Sequence, residues 1–514
     1  MTNQDSQNPS SQPFNKWQAI LWPVHRHELK KLIPMLLIFF LLSFDYNVLR
    51  CMKDTLVVTA KDSGAEVIPF IKVWAMFPMS VLLTYLFIRL SNRLGREAVV
   101  YVMLSIFLLF FFTFAYFVYP YRDELHPHEF CDRLTKLLPI GMKGFVAMIR
   151  YWSFSLFYVM SEVWSNIVLF LLFWGFANQV TKLQEAKRFY GLFGIGTNLS
   201  GIVAGQSSIF VAEFFQGPNA WDYSLQTLIA IVVGAGLLAL GIFYKLNRTI
   251  DTHPELQGDY DPTAARPRQS MRDSFKQVFS SKYLLYIAVI VVTYNVVINL
   301  VEVLWKHEVR ELYPDPRSYN IYMNQVTTWI GIAATLSALL VSGNAIRLLG
   351  WTFTAAITPV ILFITSLGFF GFFFMKEAPS LALLFPAISP LAMVVLFGTL
   401  QNCCSRAAKY TVFDATKEMA FIPLPQQEKL VGKSAIDGVF NRLGKSGGSV
   451  VHQTLLIFFG SLTASAPYVA AILFGMIFIW MAAVRNLGVL FTEKAEEVPP
   501  TQTQPQPQPV TATI

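Results

Sequence analysis

The sequence predicts an all-α polytopic membrane protein with twelve transmembrane helices in two six-helix halves. Three features carry that expectation: bulk composition, a regular series of long apolar runs, and a polar, Pro-containing stretch midway along the chain. Of 514 residues, 54% are hydrophobic and only 14% charged, which is more apolar surface than a water-soluble core can bury. In hydrocarbon every backbone N–H and C=O must be bonded within its own segment, so long apolar runs have to be helices. The 45 Phe residues suit lipid-facing helix surfaces.

Residues 1–31 are polar, contain no apolar stretch of signal-peptide length and end in HRHELKK; they are expected to form a cytoplasmic tail with no cleaved leader. Runs long enough to cross a bilayer then fall at about 32–52, 67–89, 98–119, 152–178, 189–212 and 224–244, giving an N-terminal bundle over 32–244. Within it, KLLPIGMKGFVAMIR at 136–150 reads as an amphipathic surface helix. A basic cytoplasmic linker, 245–283, contains DYDPTAARPRQS and divides the chain. Further runs at about 284–305, 321–343, 352–375, 380–404, 434–460 and 466–490 form a C-terminal bundle over 284–490. The low-complexity PPTQTQPQPQPV belongs to a disordered cytoplasmic tail, 491–514. Lys and Arg are concentrated in the connections that share a side with the N-terminus, so both termini are expected in the cytoplasm.

Two weak repeats support the division. IRLSNRLGREAVVYV follows the second run and NAIRLLGWTFTAAI the eighth; NLSGIVAG (198–205) and NRLGKSGG (441–448) share N-x-x-G-x-x-x-G. Tyr46-Asn47-Val48 and Tyr294-Asn295-Val296 also mark the first and seventh runs as equivalent helices. Parallel six-span halves are a major-facilitator-like architecture, with substrate held near the midplane between them.

The net charge of +8 is scattered between apolar runs and forms no basic stripe, so nucleic acid is not an expected partner. Cys51, Cys131, Cys403 and Cys404 lack metal-site spacing and read as packing residues, so neither metal nor cofactor is expected. FNRLGKSGGSV (440–450) approaches a phosphate-binding P-loop, yet Gly438 and Gly444 are separated by five residues where the motif needs four. Gly432-Lys433-Ser434 is likewise read as a decoy.

Charges inside the expected spans are the functional signal. Arg50, Lys53, Lys72, Arg442 and Lys445 fall there with Asp45, Glu162, Glu302 and Asp437. Each costs roughly 2.5–3.5 kcal/mol at a helix centre unless it meets a partner or a watery cavity. Asp437, Asn441 and Lys445 recur every four residues, and Glu162, Ser165 and Asn166 cluster at i, i+3, i+4, so each helix presents a polar stripe. Arg50, Lys53 and Lys72 lie near span ends, where long side chains can snorkel, and opposite charges can simply bridge helices. As a set drawn from both halves, they instead suggest one cationic chamber for a phosphorylated or polycarboxylate anion. His452 is expected to bond a backbone carbonyl, and Trp164 and Trp305 to face lipid or interface more readily than a base.

The segments NVLRCMKDTLVVTA, YVMSEVWSNIVLFLLFWGFANQ, NLVEVLWKHEVRELYP and FNRLGKSGGSV, in that order, resemble the ATP/ADP translocases, the nucleotide transporters of plastids and obligate intracellular bacteria. The likeness extends over residues 30 to 490. It implies counter-exchange of ATP for ADP by alternating access, with Lys53, Glu162, Glu302 and Lys445 as the important charged positions, and no enzymatic activity. Arg50, Lys72, Asn166, Asp437, Asn441 and Arg442 complete the expected substrate site. The address this implies is a bacterial inner membrane, with a monomeric carrier and with inorganic phosphate as a further candidate passenger. Proton-coupled or uniport import of other nucleotides is the alternative the resemblance leaves open.

Overall fold

The computed structural model describes residues 24–25, 28–253, 271–340, 344–378 and 387–497, and among these the regular elements are all helical. Helix α1 (Leu29–Val58) runs to one end of the bundle, α2 (Val67–Arg93) returns, and α3 (Glu97–Val118) runs back. Two short helices, α4 (His128–Leu137) and α5 (Lys143–Arg150), lie at that end, termed here the capped end. Helices α6 (Trp152–Val180), α7 (Leu183–Phe214) and α8 (Ala220–Thr252) complete a first segment, 28–253. The second segment, 271–497, holds α9 (Met271–Ser280), α10 (Lys282–Leu312), α11 (Pro316–Leu340) and α12 (Asn344–Met375). It continues with α13 (390–420), α14 (426–459) and α15 (Leu462–Glu497).

Local sequence explains where several helices start and stop. Ser281 and Ser389 cap α10 and α13 by accepting from the N–H of Leu284 and Ala392, and Pro390 occupies the first turn of α13, where its missing N–H costs nothing. Gly460, at φ +80°, ends α14 in the left-handed conformation that glycine adopts without strain. Gly350, at φ +75°, kinks α12.

Eight helices are long and apolar enough to cross a membrane: α1, α2, α3, α6, α8, α10, α12 from Leu349, and α15. The expected runs at 189–212, 321–343, 380–404 and 434–460 fall on α7, α11, α13 and α14, with 341–343 and 380–386 outside the described residues. These four helices carry polar side chains at their contacts, among them Ser200, Asn320, Asn324, Gln401 and Asn402, which lowers their mean hydropathy. Helices α7 and α11 form the broadest contact between the segments.

Several expected boundaries move. Helix α1 overruns residue 52 and α10 overruns 305, α8 enters the expected linker, and α15 continues to Glu497. DYDPTAARPRQS and residues 498–514 lie outside the described residues. The expected helix over 136–150 is divided at Pro139, which lacks an N–H and disfavours helical backbone before it. Nor does it lie free on the surface: a Cβ on Gly141 would fall 2.0 Å from the Leu456 carbonyl oxygen, and one on Gly144 2.3 Å from that of Glu66. The 140–142 turn is therefore wedged against α14, and α5 against the start of α2.

Phe side chains serve both surfaces. Phe107, Phe111 and Phe157 are buried around Trp164, whereas Phe170, Phe210, Phe214 and Phe458 stand exposed, as helices facing lipid require. Cys51 and Cys131 are buried free thiols, and Cys403 and Cys404 are half-buried ones.

Candidate substrate site

Buried charge converges where α1, α6, α10 and α13 meet. Helical spacing sets the groups: Tyr158 and Glu162 share a face of α6, Glu302 and Lys306 share a face of α10, and Lys53 and Asp54 lie near the end of α1. Lys53 Nζ is 3.3 Å from Glu162 Oε2 and 3.0 Å from Asp54 Oδ1, and it sits 3.8 Å above the centre of the Tyr158 ring. Asp54 Oδ2 receives Lys306 Nζ at 2.8 Å, and Lys306 also reaches Glu302 Oε1 at 3.0 Å. Arg406 Nη2 ends the ladder, 3.7 Å from the same Glu302 oxygen.

Signs alternate along this ladder, and burial grades along it. The side chains of Lys53, Asp54 and Lys306 are 3%, 1% and 2% exposed, while Glu162 and Glu302 keep 25% and 15%. The centre is sealed and the outer acids are wet. Taking one member from a sealed pair strands its partner, which costs about 3–5 kcal/mol.

A second set of cations lies beside the ladder. Among the described residues, Arg50, Lys72, Lys409, Arg442 and Lys445 have no carboxylate at ion-pair distance. Lys445, exposed on α14, lies within electrostatic reach of Lys409, Arg442, Tyr410 and Glu162; Glu162 belongs to the other segment, so Lys445 faces the space between them. Lys72, half-buried on α2, likewise feels Glu302 and Lys306 across that space, and Arg50 feels Glu302 and Asp54. Positive charge is thus left uncompensated around a wet, acid-rimmed surface.

The backbone is altered at these positions. Wide π-helical turns at 71–76, 165–174, 409–413 and 436–440 carry Lys72, Asn166, Lys409 and Asp437. Such turns shift side chains out of ordinary helical register and recur at functional sites.

Comparison with known proteins fixes the family. Residues 7–491 match the family model described as TLC ATP/ADP transporter. The chain belongs to the TLC ATP/ADP transporter family. It is 43% identical to "ADP,ATP carrier protein 1" of Chlamydia pneumoniae over 93% of this chain and 95% of that protein. It is 40% identical to "ADP,ATP carrier protein 2, chloroplastic" of Arabidopsis thaliana over 91% of this chain and 76% of that protein. Solved structures share the fold at low identity. A D-xylose–proton symporter superposes with a TM-score of 0.54 at 12% identity, covering 90% of this chain and 97% of that one. The nucleoside transporter NupG gives 0.50 at 13%, covering 91% and 99%. The fold is therefore of the major-facilitator type, and a TLC-family chain is a transporter, not an enzyme.

In this TLC transporter the expected site residues separate into three environments. Lys53, Glu162 and Glu302 belong to the ladder, while Lys445, Arg442, Lys72 and Arg50 form the unpaired cationic set. Asp437 and Asn441 are engaged elsewhere on α14: Asp437 pairs with Lys417 at 2.8 Å, and Asn441 Oδ1 accepts from Asn295 Nδ2 at 2.9 Å. Asn166 is half-buried one turn beyond Glu162. Asp45 stands apart, fully buried with neither carboxylate oxygen bonded.

Sequence reasoning missed Asp54, Lys306, Arg406 and Lys409 because each falls just beyond a bilayer-length window and so counts as loop. The i, i+4 pair Glu302/Lys306 was the available signal. Both Gly-Lys-Ser sequences lie inside helices, where backbone N–H groups are already committed, so neither is a phosphate cradle. Gly444 and Gly448 instead admit α10: a Cβ at either would fall 2.8 Å from the Cβ of Asn295 or Asn299. His452 Nε2 bonds the Leu300 carbonyl at 3.0 Å, as expected. Trp164 and Trp305 are neither lipid-facing nor interfacial; both are buried, with Nε1 bonded to the carbonyls of Leu42 and Val395.

Proposed function

We propose that this protein is an ATP/ADP antiporter that exchanges external ATP for internal ADP by alternating access, with the phosphates held by Lys445, Arg442, Lys72 and Arg50 between the two six-helix halves. The observation that carries the reading is the uncompensated positive charge facing the inter-segment space. A polyphosphate supplies the missing counter-charge, Lys as a point charge and Arg as a two-pronged donor. Carrier names in the chlamydial and plastid relatives support the same substrates. Lys53 is reached only when it exchanges partners, so it acts later than the four unpaired cations. Glu162 and Glu302 keep the empty site from being a bare cluster of cations.

The membrane is a bacterial inner membrane, with both termini cytoplasmic and the carrier monomeric. In that orientation the capped end faces outward. Contacts between the segments at Cys51–Thr327, Thr55–Asn320, Ala212–Arg317 and Pro69–Gln453 lie toward that end, so the chamber opens inward. ADP carries about one negative charge fewer than ATP, so one-for-one exchange is weighted by about 2.3 kcal/mol per 100 mV of membrane potential. Phosphate travelling with ADP removes that imbalance.

The test is uptake of labelled ATP by proteoliposomes loaded with ADP or left empty, with unlabelled ADP, GTP and NAD as competitors. Exchange predicts uptake into loaded vesicles alone and competition by ADP. Uptake into empty vesicles driven by a pH gradient would contradict it.

A further inference from the structure

One face of α1 holds the capped end shut. Cys51, Asp54 and Thr55 stand at i, i+3 and i+4 and meet the second segment in succession. Cys51 Sγ is 3.3 Å from Thr327 Oγ1, Asp54 Oδ2 is 2.8 Å from Lys306 Nζ, and Thr55 Oγ1 accepts from Asn320 Nδ2 at 3.2 Å. Among the described residues, Asp54–Lys306 is the ion pair that crosses between segments. It is also sealed, so separating the segments at this end takes from each of these two buried charges one of its two partners, leaving Asp54 with Lys53 and Lys306 with Glu302.

We propose that Asp54 is a positioning residue that couples loading to opening: it latches the capped end through Lys306, and substrate phosphate releases the latch by drawing Lys306 and Lys53 away from it. This rests on the exchange reading above. Both lysines hold a second acid on the wet side, Lys53 with Glu162 and Lys306 with Glu302. Phosphate arriving there repels those acids and competes for the same ammonium groups. In an empty carrier each lysine would keep only its wet-side acid and nothing replaces Asp54 as the second partner, so the latch holds. Obligatory exchange follows, because only a loaded carrier can open at the capped end.

Cys51 is a native reporter, buried beside the latch. In a variant with Cys131, Cys403 and Cys404 replaced by Ser, a membrane-impermeant thiol reagent added outside intact bacterial cells should label Cys51 slowly. Asp54→Asn should speed labelling at least about tenfold, since the ion pair that crosses between the segments is lost and Lys306 keeps only Glu302 on its own helix. Asp54→Glu should restore shielding. In proteoliposomes Asp54→Asn should take up ATP without internal ADP, whereas the unaltered protein should not. Lys306→Gln makes the same predictions from the other side if Asp54→Asn does not fold. Shielded Cys51 together with strict exchange in a folded Asp54→Asn or Lys306→Gln variant would overturn the proposal. Unaltered protein that takes up no ATP into either kind of vesicle would defeat the exchange reading alone, because Cys51 labelling reads the latch without nucleotide.

Discussion

Asn47 and Asn295 make the same pair of contacts in the two segments. Asn47 Nδ2 donates to the Ser43 carbonyl one turn back at 2.8 Å and to Ser200 Oγ on α7 at 3.4 Å. Asn295 Nδ2 donates to the Val291 carbonyl at 2.8 Å and to Asn441 Oδ1 on α14 at 2.9 Å. In both cases a polar side chain ties the entry helix of its segment to the helix bearing the N-x-x-G-x-x-x-G sequence. Interhelical hydrogen bonds of this kind are worth about 0.6 kcal/mol on average and up to about 1.7. A double-mutant cycle between Asn295→Ala and Asn441→Ala, read by thermal unfolding in detergent, should give a coupling of about 0.5–1.5 kcal/mol.

Two helix glycines, one in each segment, should differ sharply in tolerance. A Cβ on Gly205 would lie 2.3 Å from Thr328 Oγ1 and 2.7 Å from the Asn324 carbonyl oxygen, whereas one on Gly447 would meet nothing nearer than Val296 Cγ2 at 3.9 Å. Gly205→Ala should therefore force α7 from α11 and cost about 1–3 kcal/mol, the usual penalty of overpacking. Gly447→Ala should stay within about 0.5 kcal/mol. Paired melting curves of the two variants check this.

Two acids in the bundle should respond in opposite ways to neutralisation. Asp45 has no bonded partner among the described residues, so Asp45→Asn strands no cation and should keep ATP uptake within about twofold. Glu162→Gln removes the wet-side partner of Lys53 and should change the apparent affinity for ATP by about tenfold or more. Initial uptake rates over a range of ATP concentrations distinguish the two.

The capped end should be acid-sensitive. His126, between α3 and α6, is buried with Nε2 2.7 Å from Ser153 Oγ, and burial, aided by nearby His128, pushes its pKa down to about 4. The folded protein holds the imidazole neutral, while the unfolded chain protonates it near its ordinary value of about 6.5. Its stabilisation is therefore complete above about pH 6.5 and is lost as pH falls from there through about 4. His126→Gln should flatten the melting temperature between pH 7 and 5 relative to the unaltered protein.

Much of this was legible in the sequence, for identifiable reasons. Hydropathy marked the helices because lipid forces internal backbone bonding, and Glu162, Glu302 and Lys445 stood out because charge within an apolar run is costly. Lys306 and Asp54 did not stand out, since α1 and α10 extend beyond bilayer length and the charges at their ends read as loop. Pairing was also invisible: Asp437 shares the helical stripe of Lys445, yet a wide turn and Lys417 take it elsewhere. The glycines of NRLGKSGG carry no mark in the sequence of the helix that packs on them; in the fold α10 lies against Gly444 and Gly448.

The central claim is that unpaired cations facing the inter-segment space grip polyphosphate, and Lys445 tests it most directly. Binding of ATP to the purified protein should weaken at least about tenfold in Lys445→Gln, because a charge-assisted contact to phosphate is lost. The unaltered protein should also lose affinity as salt rises from about 50 to about 300 mM, because screening weakens the contacts to phosphate. ATP bound by Lys445→Gln within about twofold of the unaltered protein, with the same salt dependence, would contradict the account.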